Sequence, residues 1–277
     1  MRRLSSCDEP ETFTQARDDF VELNPHAPHV LEKDRWKKFK SAHSQGYAAA
    51  QGALLANQYG LCAYCEADIK KPEWQIEHFK PKSETTQDVD LTFDFSNFLL
   101  CCQGGTDDAQ RKNHSCGQSK RNTNPVGNIL NPYELPYAPI VEVTTSKPNY
   151  GDYDNQPDFD GLFFKVNEEA CKVANIDIKL LKSTIKYLHL NCPRLARRRI
   201  EIWRQLEQEI KKEIGVIGTV ISPQDLAKIT DLAKWHLSPR DNRLEKFQTA
   251  MVLFFASYLP SLLTEGAWQE GNSYPTV

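Results

Sequence analysis

The chain has 277 residues, 40% of them hydrophobic, and a formal net charge of −3, which is enough length for one large core or two modest domains. With acidic and basic residues nearly balanced, no global basic field attracts nucleic acid, so any such binding must come from local patches. No apolar run approaches the roughly 20 residues of a membrane helix, and Met1-Arg2-Arg3-Leu4-Ser5 leads into polar residues rather than a signal-peptide core. The expectation is a cytoplasmic protein with no membrane partner, in which the eight cysteines stay reduced and grouped thiols point to metal before disulfide.

In chain order, residues 11–24 read as a short helix ended by Asn24-Pro25, with Pro28 keeping the next residues out of helix. One longer helix is expected from Glu32 to about Tyr59, because Trp36, Phe39, His43, Tyr47, Ala50 and Leu54 recur at steps of three and four. Its opposite face begins Lys33, Arg35, Lys37, Lys38, Lys40, and Gly60 is placed to end it directly before Cys62. Residues 81–93 and the insert Gln103–Lys112 read as loops. Ile140–Thr144 and Leu162–Val166 read as two strands around a loop from Lys147 to Gly161. After Asn175 the chain becomes helical. Ser222-Pro223 and Ser238-Pro239 each place a capping hydroxyl before a proline at the first helical position, and Leu244, Phe247, Met251, Phe254 and Tyr258 give the last helix its stripe.

The chemistry is concentrated between Cys62 and Asn122. Cys62 and Cys65 have the spacing of a zinc knuckle, and Cys116 supplies a distant thiol. For the fourth ligand Cys102 is preferred to Cys101 because it lies five residues after Asn97, where the resemblance given below implies a thiol, and His114 is a substitute for one thiolate. In Glu77-His78 a neutral imidazole suits the general base of phosphodiester hydrolysis, and the carboxylate suits a hard cation such as Mg²⁺. Successive strand residues point to opposite faces, so both can serve one phosphate only if the chain bends there. Asn97 is expected to orient the histidine loop through its amide, Asn122 to add a ligand to the catalytic cation, and Lys80, Lys120 and Arg121 to contact nucleic acid.

Each signal has a plainer counterpart. Cys62-x-x-Cys65 alone could be a redox pair, Asn97 could cap a helix beginning at Phe98, and Arg194, Arg197, Arg198 and Arg199 could be a solvated helix face. Cys7, Cys171 and Cys192 read as small buried side chains.

The order of thiol pair, acid–histidine, asparagine and second thiol set is the signature of a zinc-stapled HNH nuclease core. Cys-x-Tyr-Cys-Glu at Cys62–Glu66, Ile-Glu-His-Phe-x-Pro-Lys at Ile76–Lys82, the Asn97–Cys102 segment and the opening Met1–Leu4 with Pro10 and Phe13 resemble the PtuB-like HNH endonucleases of Septu and retron-linked Septu anti-phage systems. That resemblance implies His78 as catalytic base, a structural Zn²⁺ on four cysteines, and an effector working beside an ABC-type ATPase, PtuA. A retron reverse transcriptase and its RNA–DNA hybrid are implied as further partners. Gly117 departs from the pattern, standing where an Asn or His often lies.

The expected fold is α+β and mainly helical, a ββα-metal module flanked by helices. Residues 1–60 would form an N-terminal helical region, 61–135 the nuclease module, and 136–277 a hairpin and helical domain that docks a partner. The competing expectation is a zinc-ribbon adaptor that binds nucleic acid or protein without cutting.

Overall fold

The computed structural model describes residues 1–25, 32–70, 74–86, 89–106, 111–150, 159–215, 221–268 and 274–275. The non-helical stretch expected around Pro28, part of the insert after Gln103 and the middle of the 147–161 loop lie outside them. The chain is α+β and about half helical, with two separate two-stranded antiparallel sheets among the described residues.

Helix α1 (Glu11–Leu23) buries Phe13, Ala16 and Phe20, one apolar stripe at helical spacing. The single helix expected after it is two, α2 (Glu32–Ala42) and α3 (Ser44–Asn57). His43 breaks them apart at φ −121°, ψ 52°. Its ring lies flat on Phe39 at 5.6 Å and edge-on to Phe20 at 5.9 Å, so α2 stays in the aromatic cluster while α3 packs along α1. Arg35, expected on the exposed face, is buried instead, over the Phe93 ring and 2.9 Å from Asp90. Helix α3 ends as the sequence suggests: Gly60 takes φ +75° and its N–H donates to the Leu55 carbonyl at 2.9 Å.

Strands β1 (Trp74–His78) and β2 (Phe98–Cys102) pair antiparallel, with Glu77 opposite Leu99 and His78 opposite Phe98. The chain between them carries one-turn 3-10 helices at Lys82–Glu84 and Phe95–Asn97. Phe98 opens a strand, so Asn97 caps no helix there. A five-residue helix, α4 (Cys116–Lys120), follows and packs on β2.

The second hairpin, β3 (Val141–Thr144) with β4 (Phe163–Val166), lies where expected. Helices α5 (Glu168–Val173), α6 (Ile178–Tyr187), α7 (Pro193–Ile214), α8 (Pro223–Leu237) and α9 (Gln248–Ala256) complete the chain. The sequence reading missed α5, whose start is capped by Asn167 accepting from the Ala170 N–H at 3.0 Å. Ser222 caps α8 as expected, but Ser238 closes that helix rather than opening another. The reason is tertiary. Residues 240–247 turn back on the cysteine knuckle, where Leu244 N–H donates to the Tyr59 carbonyl at 3.0 Å and Phe247 N–H to the Glu66 carbonyl at 2.8 Å.

Buried side chains from Leu4 to Leu262 form one apolar cluster, which passes through all three regions of the chain. No helix among the described residues is long and apolar enough to cross a membrane.

Candidate active site and metal centre

The knuckle begins where α3 ends. Glu66 N–H donates to the Cys62 carbonyl at 3.0 Å and Cys62 N–H to the Ala67 carbonyl at 2.9 Å, which folds the two thiols toward each other. Strand β2 ends at Cys102, whose sulfur accepts the Gly104 N–H at 3.4 Å. Cys116 opens α4, its N–H held by the Leu188 carbonyl at 2.9 Å.

The structure brings Cys62, Cys65, Cys102 and Cys116 together, with all four sulfurs within 4.8 Å of one another. Three of the sulfur pairs are 3.7 to 3.8 Å apart. A tetrahedron with Zn–S bonds of about 2.3 Å has edges of about 3.8 Å, whereas a disulfide needs about 2.05 Å. The four thiols therefore fit a tetrahedral metal ion. Burial works against a thiolate at Cys62, but the neighbouring thiols outweigh it and hold its pKa well below the usual thiol value. Cys101 is buried and is not among the four clustered donors. The other alternative, His114, presents its carbonyl to the His189 ring at 2.7 Å and is not among the four clustered donors.

His78 ends β1 and is only 5% exposed. The edges and faces of Trp36 and Phe98 meet its ring at 4.8 and 5.0 Å. Its Nε2 lies 3.0 Å from the Thr92 carbonyl. A carbonyl only accepts, so Nε2 carries the hydrogen and Nδ1 the lone pair. Burial, then the charge of Lys82, lowers the pKa to about 3, so the ring is neutral at physiological pH.

Asn97 clamps the turn that follows. Its side-chain oxygen accepts the Lys80 N–H at 2.7 Å, and its amide donates to the Lys80 and Leu91 carbonyls at 3.0 and 3.1 Å.

Glu77 and His78 are consecutive residues of β1, so Glu77 takes the other face of the strand. Lys120 is 1% exposed, its ammonium 2.9 Å from Glu77 Oε1 and 3.1 Å from the His78 carbonyl. It was expected to contact phosphate; instead it neutralises the carboxylate from inside. Burial raises the Glu77 pKa, partly offset by Lys120. A Cβ at Gly117 would come within 2.6 Å of Glu77 Oε2, so that glycine makes room for the carboxylate. Asn122 is exposed beyond α4, as are Arg121 and Lys80. A divalent cation therefore does not fit Glu77 as placed: an ammonium already holds one oxygen, and α4 closes on the other.

Two neighbours of His78 escaped the sequence reading. Lys82 Nζ stands 3.5 Å from Nδ1, four residues along the chain, and Trp36 reaches it from α2. The lysine's place in Ile-Glu-His-Phe-x-Pro-Lys was the available signal; Trp36 looked like any residue of an apolar stripe.

No family model matches the chain. It is 33% identical over 191 residues, 60% of its length and 69% of the relative's, to an Escherichia coli protein named "Retron Ec83 putative HNH endonuclease". Over 61 residues, 22% of this chain and 28% of the relative, it is 39% identical to the "Retron Vc95 putative HNH endonuclease" of Vibrio cholerae serotype O1 biovar El Tor.

Proposed function

The chain belongs to the HNH endonuclease family, and from that membership we propose that it hydrolyses phosphodiester bonds of DNA or RNA with His78 as general base. The observation that carries this reading is the fixed tautomer of a neutral imidazole, its Nε2–H spent on Thr92 and its Nδ1 lone pair turned toward Lys82 Nζ at 3.5 Å, the side from which the attacking water would come as Lys82 shifts to the phosphate. In the proposed step that water gives its proton to Nδ1, its oxygen bonds to phosphorus, and the P–O bond opposite breaks to release the leaving alkoxide. Asn97 holds the turn so that the imidazole need not reorganise, and Lys82 lies close enough to balance charge on the phosphate.

The four thiols are proposed to hold a structural Zn²⁺, and β1, β2 and α4 to be the ββα-metal unit built on it. The tetrahedral sulfur spacing supports the first and the strand–strand–helix order the second. Magnesium at Glu77 and Asn122 has no part in this proposal while Lys120 holds the carboxylate.

The resemblance to PtuB-like nucleases and the retron names of the relatives support a cytoplasmic anti-phage effector. Its partners would be an ABC-type ATPase, a retron reverse transcriptase and an RNA–DNA hybrid.

The test is cleavage by His78→Ala and His78→Asn. Both are expected to lose at least roughly 100-fold in rate while keeping the wild-type zinc content and circular dichroism. Undiminished cleavage would remove His78 from the mechanism. Binding of nucleic acid without cleavage by the wild-type chain would favour the adaptor.

A further inference from the structure

We propose that the exposed lysines of α2, Lys33, Lys37 and Lys40, form with Lys82 a track along which the phosphate backbone of a nucleic-acid strand crosses the His78 site. The proposal rests on the nuclease reading and adds a binding surface from outside the hairpin and its metal centre.

Helix α2 is tied to the site by two contacts. Trp36 sets its ring edge-on to the His78 imidazole at 4.8 Å, and α2 packs on the Lys82–Glu84 turn. Lys40, one helical turn beyond Trp36, lies over the Tyr47 ring at 5.7 Å. Tyr47 in turn packs edge-on against Trp36 at 5.7 Å. Lys40 is therefore on the His78 side of the helix, and its charge reaches the imidazole together with that of Lys82.

Helical phase places Lys37 and Lys33 on the same stripe, three and seven residues before Lys40, and all three are exposed. Like charges at such spacings repel in the free protein, and an anion laid along the stripe turns that repulsion into attraction. Seven residues rise about 10 Å, the axial span of about three phosphates of one strand. The stripe leads to Lys82 and the imidazole, which a phosphodiester must reach and an acidic protein need not. On a chain of net charge −3, a local track of this kind supplies the attraction that the global field lacks.

The test uses the full chain carrying His78→Ala, so that probes stay uncut, with fluorescent oligonucleotides of one sequence as single-stranded DNA, duplex DNA and RNA. Lys37→Gln with Lys40→Gln, and separately Lys82→Gln, are compared with a control pair on α6 and α7, Lys179→Gln with Lys212→Gln. The α2 pair is expected to weaken binding of the preferred probe roughly tenfold and to lower the slope of log affinity against log salt by about one per lysine. The control is expected to do neither. In the chain with His78 intact, the α2 pair is expected to raise KM for that probe with little change in kcat.

Wild-type affinity and salt slope in the α2 pair on all three probes would overturn the track, as would no binding of any probe by the parent. Lysine-dependent binding by a chain that cuts nothing would leave the track standing and sink the nuclease reading. Equal cutting by the wild-type chain and the α2 pair would do the reverse.

Discussion

At Glu77 a carboxylate, an ammonium and a missing side chain fit together. A buried ion pair is worth little over an apolar replacement, but removing one partner strands the other charge. Lys120→Met is therefore expected to cost about 3 kcal/mol in urea unfolding, and Glu77→Gln added to it to recover part of that loss. Gly117 separates two effects. Alanine in a helix is favoured over glycine by about 1 kcal/mol, but here its Cβ would meet Glu77 Oε2 at 2.6 Å, against a carboxylate that Lys120 holds in place. Gly117→Ala is expected to destabilise by about 1 kcal/mol. At Gly52 of α3 an added Cβ meets nothing within 4 Å, so Gly52→Ala is expected to stabilise by about 0.5 to 1 kcal/mol, and thermal melts of the two variants check the opposite signs. None of this was legible in the sequence. Lys120 and Arg121 read as nucleic-acid contacts, because the partner of Lys120 lies on another element 43 residues away. Likewise, nothing local marks Arg35 as the buried partner of Asp90.

Among the elements, local signals were reliable where local forces decide. The α1 stripe, the Gly60 terminus, the Ser222 cap and the β3–β4 hairpin follow from spacing and turn chemistry alone. The knuckle spacing likewise pointed to Cys62 and Cys65, while the choice of Cys102 over Cys101 needed the nuclease pattern after Asn97. The α2–α3 break and the missing helix at Ser238 were illegible because distant partners decide them: Phe39 and Phe20 hold His43, and Tyr59 and Glu66 hold residues 244–247. A second distant clamp joins α7 to the end of α8. His236 lies between Glu209 at 2.7 Å and Glu245 at 2.9 Å, and Glu245 also pairs with Arg240. Burial opposes the imidazolium, but the two carboxylates outweigh it and raise the His236 pKa. The folded value lies above the unfolded one, so this stabilisation is complete below about pH 6.5 and disappears as pH rises through the folded value. His236→Gln should accordingly lower the melting temperature more at pH 6 than at pH 9. An equal deficit at both would show that the clamp acts through packing alone.

Across the whole molecule, the four-cysteine cluster is tied to distant parts of the chain: Arg194 of α7 donates to Ser115 Oγ at 2.7 Å, beside Cys116, and Arg243 pairs with Asp68 just past the knuckle. Stripping the metal with a chelator, or Cys65→Ala, is therefore expected to loosen the entire fold. A loss of about 3 kcal/mol would lower the melting temperature by roughly 10 °C, with zinc content and near-ultraviolet dichroism falling together. If α7 and α8 kept their hydrogen-exchange protection after zinc removal, the two halves would be shown to fold separately. The contact of Glu66 with Thr249 extends the point to time. Glu66 follows Cys65 directly and is fully enclosed, and it accepts both the backbone N–H, at 2.7 Å, and the hydroxyl of Thr249 in α9. A ribosome delivers those donors 183 residues after the acceptor, so in a nascent chain the carboxylate behind the knuckle lacks both of these partners until α9 has been made.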